Sequence, residues 1–166
     1  MQIRITGFHL ILLGVLVLGV GGYFLLDWLI VTDVERVEAT VEELARVVEK
    51  NDVASVMPHL DASFRMGDLD LEAFHEWYTK TLKVVQVREG SIYDTEAEVD
   101  KADPNLARAL VLTFVELENP RGFHRINWQL EFRRHGEHTW KVSSVRALWP
   151  KDGREIPLKS VPHWLP

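Results

Sequence analysis

The sequence contains no cysteine. That excludes disulfides, thiolate catalysis and cysteine-based metal sites, and it leaves the compartment open, because a domain outside the cytoplasm can hold together without cross-links. Positive charge is also in short supply. Lys and Arg number 19 against 25 Asp and Glu, a net charge of −6, with no basic cluster anywhere along the chain. Contact with phosphate backbones needs concentrated cation, so nucleic acid is not expected as a partner. Motifs that carry chemistry are missing as well: there is no HExxH, GxSxG, P-loop or GxGxxG. Of the seven His, the close pair His135 and His138 merely spans a turn at Gly136, so neither a metal nor a cofactor is expected. The acidic run Glu96, Glu98, Asp100, Asp103 lacks the spacing and central glycine of a calcium loop; it reads as a solvated edge that discourages edge-to-edge pairing.

Charge of either sign is absent from Phe8 to Leu26. At about 1.5 Å per residue that stretch reaches about 28 Å, close to the hydrocarbon thickness of a bilayer. Asp27 interrupts the run, Trp28-Leu29-Ile30-Val31 extends it, and Tyr23 and Trp28 fall where aromatic belts lie. A cleaved signal peptide would have a shorter apolar core and a small-x-small cleavage site, which Val31-Thr32-Asp33-Val34 does not offer. Residues 8–31 are therefore expected to be a single transmembrane helix, with the bilayer as a partner and residues 1–7 as a short cytoplasmic tail. Arg4 precedes the span, while Asp27, Asp33 and Glu35 follow it. This bias places the C-terminal part on the extracytoplasmic side, periplasmic or extracellular.

The remaining chain changes its period part-way. Val34, Val37, Val41, Leu44, Val47 and Val48 recur at helical spacing, predicting a helix over Asp33–Lys50. A shorter helical piece over Val53–Leu60 contains Pro58, and Asp61 to Arg65 shows no clear period. A third helix is predicted over Asp70–Leu82, capped by Asp68 or Asp70. From Val84 onward the pattern alternates. Val84–Arg88, Leu106–Leu117, Phe123–Arg133 and His138–Leu148 read as strands, and Ile92–Val99 either continues the first past a kink or bulge at Gly90 or forms a second short strand; a bulge is expected near Ser143-Ser144. Leu106–Leu117 is apolar on both alternations, as in a strand covered on both faces. Helices first and an antiparallel meander after them indicate an α+β domain over residues 33–149, with three helices packed on one face of a curved sheet. Residues 150–166, with Pro150, Pro157, Pro162 and Pro166, read as an extended tail that Trp149 and Trp164 could pin to the domain.

The passage from the long helix into the shorter one, Glu-Lys-Asn-Asp-Val-Ala-Ser-Val-Met-Pro-His-Leu, resembles the opening of the NTF2-like (SnoaL-like, cystatin-type) superfamily. The ending resembles it too: Asn127 to Arg134, a tight turn, then Thr139-Trp140-Lys141-Val142-Ser143-Ser144-Val145. The likeness extends over residues 34–148. It implies a cone-shaped fold, a bent sheet wrapped around a long helix, often with an internal pocket. The superfamily includes isomerases, dehydratases and many non-catalytic members. Single-span versions with the domain outside the cytoplasm include the VirB8-like assembly proteins of type IV secretion. Asn119-Pro120-Arg121-Gly122 is similar to the NPxG motif of that group, although a strand–strand turn accounts for the same residues.

An enzyme on this fold would need polar residues inside the cone. The candidates are His59, Asp61, His75, Tyr78, His124 and Trp128. An Asp or His base with a Tyr donor could move a proton next to a carbonyl, as the resemblance implies for the isomerases. No motif compels that chemistry. The leading expectation is a membrane-anchored, non-catalytic NTF2-like module that binds a protein partner, either another subunit of a membrane complex or a second copy of itself. The alternative is a small-molecule or isomerase/lyase-type pocket. An open apolar cavity reached by His59, Asp61 or Tyr78 favours the pocket; a cone filled by Phe64, Phe74, Trp77, Phe114 and Trp128 rules it out.

Overall fold

The computed structural model describes residues 32–119 and 121–157. The expected span at 8–31, the tail at 1–7 ahead of it, Pro120 and residues 158–166 lie outside the described residues. Among the described residues no helix is long and apolar enough to cross a membrane.

The first described helix, α1, runs Asp33–Val48 with Asp33 and Glu35 in its first turn, where carboxylates favour the positive end of the helix dipole. It buries Val37, Val41 and Val47, the stripe that the spacing predicted. Beyond it Asn51 takes a left-handed backbone, φ 51°, a conformation that Asn tolerates better than most side chains. Helix α2 is the single turn Val53–Val56, capped by Asp52, and it passes into a 3₁₀ turn over Met57–His59 with Pro58 near its start. Helix α3, Leu71–Thr81, starts at the predicted cap: the Asp70 carboxylate accepts from Ala73 N–H at 3.0 Å.

Among the described residues six strands form one sheet: β1 Leu60–Met66, β2 Leu69–Asp70, β3 Gln86–Val99, β4 Leu106–Asn119, β5 Gly122–His135 and β6 Thr139–Leu148. Their order is β2-β1-β6-β5-β4-β3. The pairs β3–β4, β4–β5 and β5–β6 are antiparallel, whereas β1 lies parallel to β6. This α+β architecture, a curved sheet with helices, is the one expected. The bulge expected near Ser143 is present: Glu131 pairs with Ser144 and Phe132 with Val142, so the register skips a residue there. Of the two arrangements expected around Gly90, the continuous one is present: β3 is a single strand, broken in register near Val87–Glu89 and at Ile92–Asp94. Such irregularities bend a sheet.

Strand β1, like the two-residue β2, is not revealed by the pattern. Its burial alternates at Phe64 and Met66, but Asp61 is buried next to Leu60, which hides the period. The start of the expected tail also belongs to the fold. Ile156 is 1% exposed, its N–H donates to the Ala147 carbonyl at 2.7 Å, and it packs with Ile126 and Ala147. Trp149 leans on the same cluster, as expected of it. The main core lies between α1, α3 and the inner sheet face, which contributes Ala107, Ala109 and Val111 from β4, Leu130 and Phe132 from β5, and Trp140 and Val142 from β6.

Candidate functional site: the cavity of the cone

The core does not close completely. A cavity of about 290 Å³ remains between α1, α3 and the inner face of the sheet. Val41, Leu44, Ala45 and Val48 of α1 form one wall; Phe74, Trp77 and Tyr78 of α3 form another; Val111, Thr113, Ile126, Trp128 and Leu130 form the sheet side. Spacing explains the membership. Positions 41, 44, 45 and 48 share one face of a helix, and alternate residues of β4 and β5 point inward. A partly open space of this size is at the small end of ligand pockets, and roughly twice the ~150 Å³ that admits a benzene.

Polar groups in the wall are few, and their partners are specific. Trp128 Nε1 donates to Thr113 Oγ1 at 2.9 Å, and Thr113 Oγ1 in turn donates to the Ile126 carbonyl at 3.4 Å. Glu49 Oε1 accepts from the Gly90 N–H at 2.7 Å. The Tyr78 hydroxyl is buried with no hydrogen-bond partner. Burial, helped by the nearby Asp52 charge, pushes its phenol up to about 12, so it stays protonated at neutral pH. Leaving a buried hydroxyl unpaired costs about 1–3 kcal/mol. The Tyr78 ring stacks on Phe74, centroids 5.4 Å apart and planes 15° apart, with Phe64 tilted behind at 4.9 Å.

Of the candidates, Tyr78 and Trp128 line the cavity. The others lie elsewhere. His59 ends the 3₁₀ turn, half-buried and outside the wall. His75 is exposed on α3. His124 shares the inward parity of Ile126 and Trp128, but it lies at the strand end against Gly122, where burial lowers its pKa. Asp61 is 5% exposed and is committed to a structural network. Its carboxylate accepts from the Ser63 hydroxyl, from the Ser63 N–H at 2.7 Å and from His135 Nε2. Burial opposes its charge, but the Ser63 and His135 bonds prevail and hold its carboxyl down to about 2. Sequence reasoning missed Thr113 and Glu49 as wall residues. Thr113 had left a signal, a polar residue on the apolar parity of β4 between Val111 and Val115. Among the described residues no group of His, Asp and Glu is placed to hold a metal ion.

The outer sheet face carries a second feature. Leu110 and Phe114 of β4, Tyr93 of β3 and Phe123 of β5 are exposed, Tyr93 at 73% and Phe123 at 78%. Tyr93 meets the Phe114 ring edge-on at 5.8 Å, and the Arg125 guanidinium lies over the same ring at 5.5 Å. Phe114 therefore does not fill the cone; it belongs to this face.

Solved structures share this architecture. An NTF2-like protein from Cytophaga hutchinsonii matches with a TM-score of 0.56 and 14% identity, over 67% of this chain and 93% of its own. The fold is NTF2-like. An NTF2-like protein of unknown function in nutrient uptake from Rhodospirillum rubrum matches at 0.57 with 13% identity, over 67% of this chain and 95% of its own. A protein assigned as a calcium/calmodulin-dependent protein kinase II association domain, from Xanthomonas campestris, matches at 0.59 with 9% identity, over 70% of this chain and 88% of its own. No protein-family model and no curated protein sequence matches the chain. At these identities the NTF2-like likeness concerns the fold alone, and any activity has to be argued from the site.

Proposed function

We propose that the protein is a membrane-anchored, non-catalytic binding domain whose NTF2-like cone takes up an apolar small molecule. The observation that carries this reading is the 290 Å³ cavity with its almost wholly apolar wall. Protein interiors pack to crystal density and rarely keep such a space without a use for it. Binding rather than turnover is the reading because the acid–base candidates are engaged away from the wall: Asp61 with His135 and Ser63, His59 at the 3₁₀ turn, His124 at a strand end. The wall's own carboxylate, Glu49, already accepts from Gly90.

The anchor is residues 8–31, supported by the uncharged stretch Phe8–Leu26, and the extracytoplasmic placement is supported by Arg4 ahead of it and the acids after it. Two measurements test the whole. Full-length protein in lipid nanodiscs should bind naphthalene saturably, read by tryptophan fluorescence, and Ala45→Phe should abolish the binding by filling the cavity; wild-type protein that binds nothing overturns the cavity reading. Alkaline carbonate should leave the protein in the membrane pellet, and protease added outside intact cells with a permeabilised outer layer should digest the domain; release by carbonate or full protection overturns the anchor or its orientation.

The outer sheet face supports a second reading, assembly with another copy. Asp94, Glu96 and Glu98 of β3 lie beside the apolar centre formed by the exposed Leu110 and Phe114 and the half-buried Leu112, and Arg125 and Arg133 of β5 lie on its other side. A two-fold axis through β4 would set acids against cations, as an isologous interface requires. Phe114→Glu should halve the mass of the particle in detergent; a wild-type monomer overturns this reading.

A further inference from the structure

The wall of the cavity has a polarity. Apart from Glu49, every side chain in it is uncharged. Glu49 is half-buried at the end of α1, with one carboxylate oxygen fixed by the Gly90 N–H. No Lys, Arg or His of the described chain joins the wall. The nearest cation along β3, Arg88, is tied to Glu116 at 2.9 Å. An anionic ligand would thus bring its charge beside a carboxylate with no cation in the wall to meet it, and desolvating a charge without a partner is strongly unfavourable. A ligand cation meets the opposite situation. It gains the Glu49 charge, in a wall that also carries the rings of Trp77, Tyr78 and Trp128, and aromatic rings attract cations.

Resting on the binding reading above, we infer that the cavity takes a lipophilic amine, a molecule with a compact apolar body of about two rings in the cone and a single ammonium head at Glu49. Size and sign are set by separate features. The 290 Å³ space limits the body, and Glu49 selects the charge of the head. The aromatic side of α3, where the Phe74 and Tyr78 rings are stacked, suits a flat body.

Three probes of matched shape test this on full-length protein in zwitterionic-lipid nanodiscs, with empty discs as the blank: 1-naphthylmethylamine, naphthalene and 1-naphthoate. The expected order at pH 7 is amine over naphthalene by about tenfold, with naphthoate weaker than both. Glu49→Gln keeps an oxygen for the Gly90 N–H and removes the charge, so it should bring the amine to within about twofold of naphthalene measured on the same variant. Naphthalene binding as tightly as the amine, or an amine preference that survives Glu49→Gln, overturns the inference and leaves the binding reading standing. If none of the probes binds, both fail together. Should Glu49→Gln not fold, the wild-type order alone decides.

Discussion

The His135 ring and the Asp61 carboxylate are bonded to each other across 74 residues of sequence, joining the turn of the last hairpin to the first residues of β1. Asp61 is ionised there, so His135 Nε2 is the donor. Asp61 is buried while the His135 ring reaches the surface, and neither residue lines the cavity. The role of the pair is to hold β1 in place.

That role predicts an acid-dependent stability. A carboxyl held near 2 in the fold, against 3.8 when free, stabilises the native state fully above about pH 4 and progressively less as pH falls through 2. Asp61→Asn should therefore flatten the decline of the melting temperature between pH 4 and pH 2, followed by near-UV circular dichroism. Asp61→Ala should cost about 1–3 kcal/mol at pH 7 by leaving the Ser63 and His135 groups unpaired. Identical acid profiles for wild type and Asp61→Asn would show that the network does not hold the strand.

Tyr78 predicts the opposite limb. Its phenol is raised to about 12 from 10, so the stabilisation is intact below pH 10 and is lost as pH rises from 10 toward 12, because the unfolded chain ionises first. Tyr78→Phe should remove that alkaline loss, and at pH 7 it should be neutral or stabilising by up to about 1 kcal/mol, since it deletes an unpaired buried hydroxyl. Urea midpoints at pH 7 and pH 11 measure both. A variant less stable by several kcal/mol at pH 7 would mean that the hydroxyl has a partner in solution.

Asn51 joins α1 to β3. Its Nδ2 donates to the Val87 carbonyl at 2.7 Å, and its Oδ1 accepts from the Val87 N–H at 2.8 Å. Asn51→Ala loses both bonds and places a Cβ-bearing residue without a polar side chain at φ 51°. A loss of about 2–3 kcal/mol is expected, with faster hydrogen exchange confined to the Val87 end of β3. Exchange unchanged there would detach the clamp from the stability of the strand.

Phe64 tests the packing behind the cavity. It is 1% exposed and tilted against Phe74. Phe64→Ala should cost about 3–5 kcal/mol and enlarge the cavity, so a three-ring probe should bind where wild type admits two. A loss under 1 kcal/mol in chemical denaturation would contradict a packed site.

Much of this fold could be read from the chain because local signals agreed with tertiary ones. The stripe of α1, the Asp70 cap of α3, the alternation of β5 and the bulge at Ser143 are decided by neighbours a few residues away. What was not legible depends on distant partners. Strand β1 is stabilised by a parallel neighbour, and its buried Asp61 looks polar and exposed until His135 is known to meet it. Ile156 reads as part of a proline-rich tail because nothing near it in sequence says that Ala147 will accept its N–H. The site divides in the same way. Tyr78 and Trp128 could be nominated from their elements, whereas the position of Glu49 at the cavity follows from where α1 ends against Gly90.

The parallel pairing of β1 with β6 has a consequence for synthesis. Strands β3, β4 and β5 are consecutive antiparallel neighbours and can form as they leave the ribosome. Strand β1 can pair early with the two-residue β2, but its neighbour on the other side, β6, is made after β3, β4 and β5. Through most of translation β1 waits without β6, and contacts of such long range form slowly. The nascent chain is therefore most exposed to proteases and to mispairing in the interval before Thr139–Leu148 emerges, and truncation ahead of Thr139 should leave a chain that never closes.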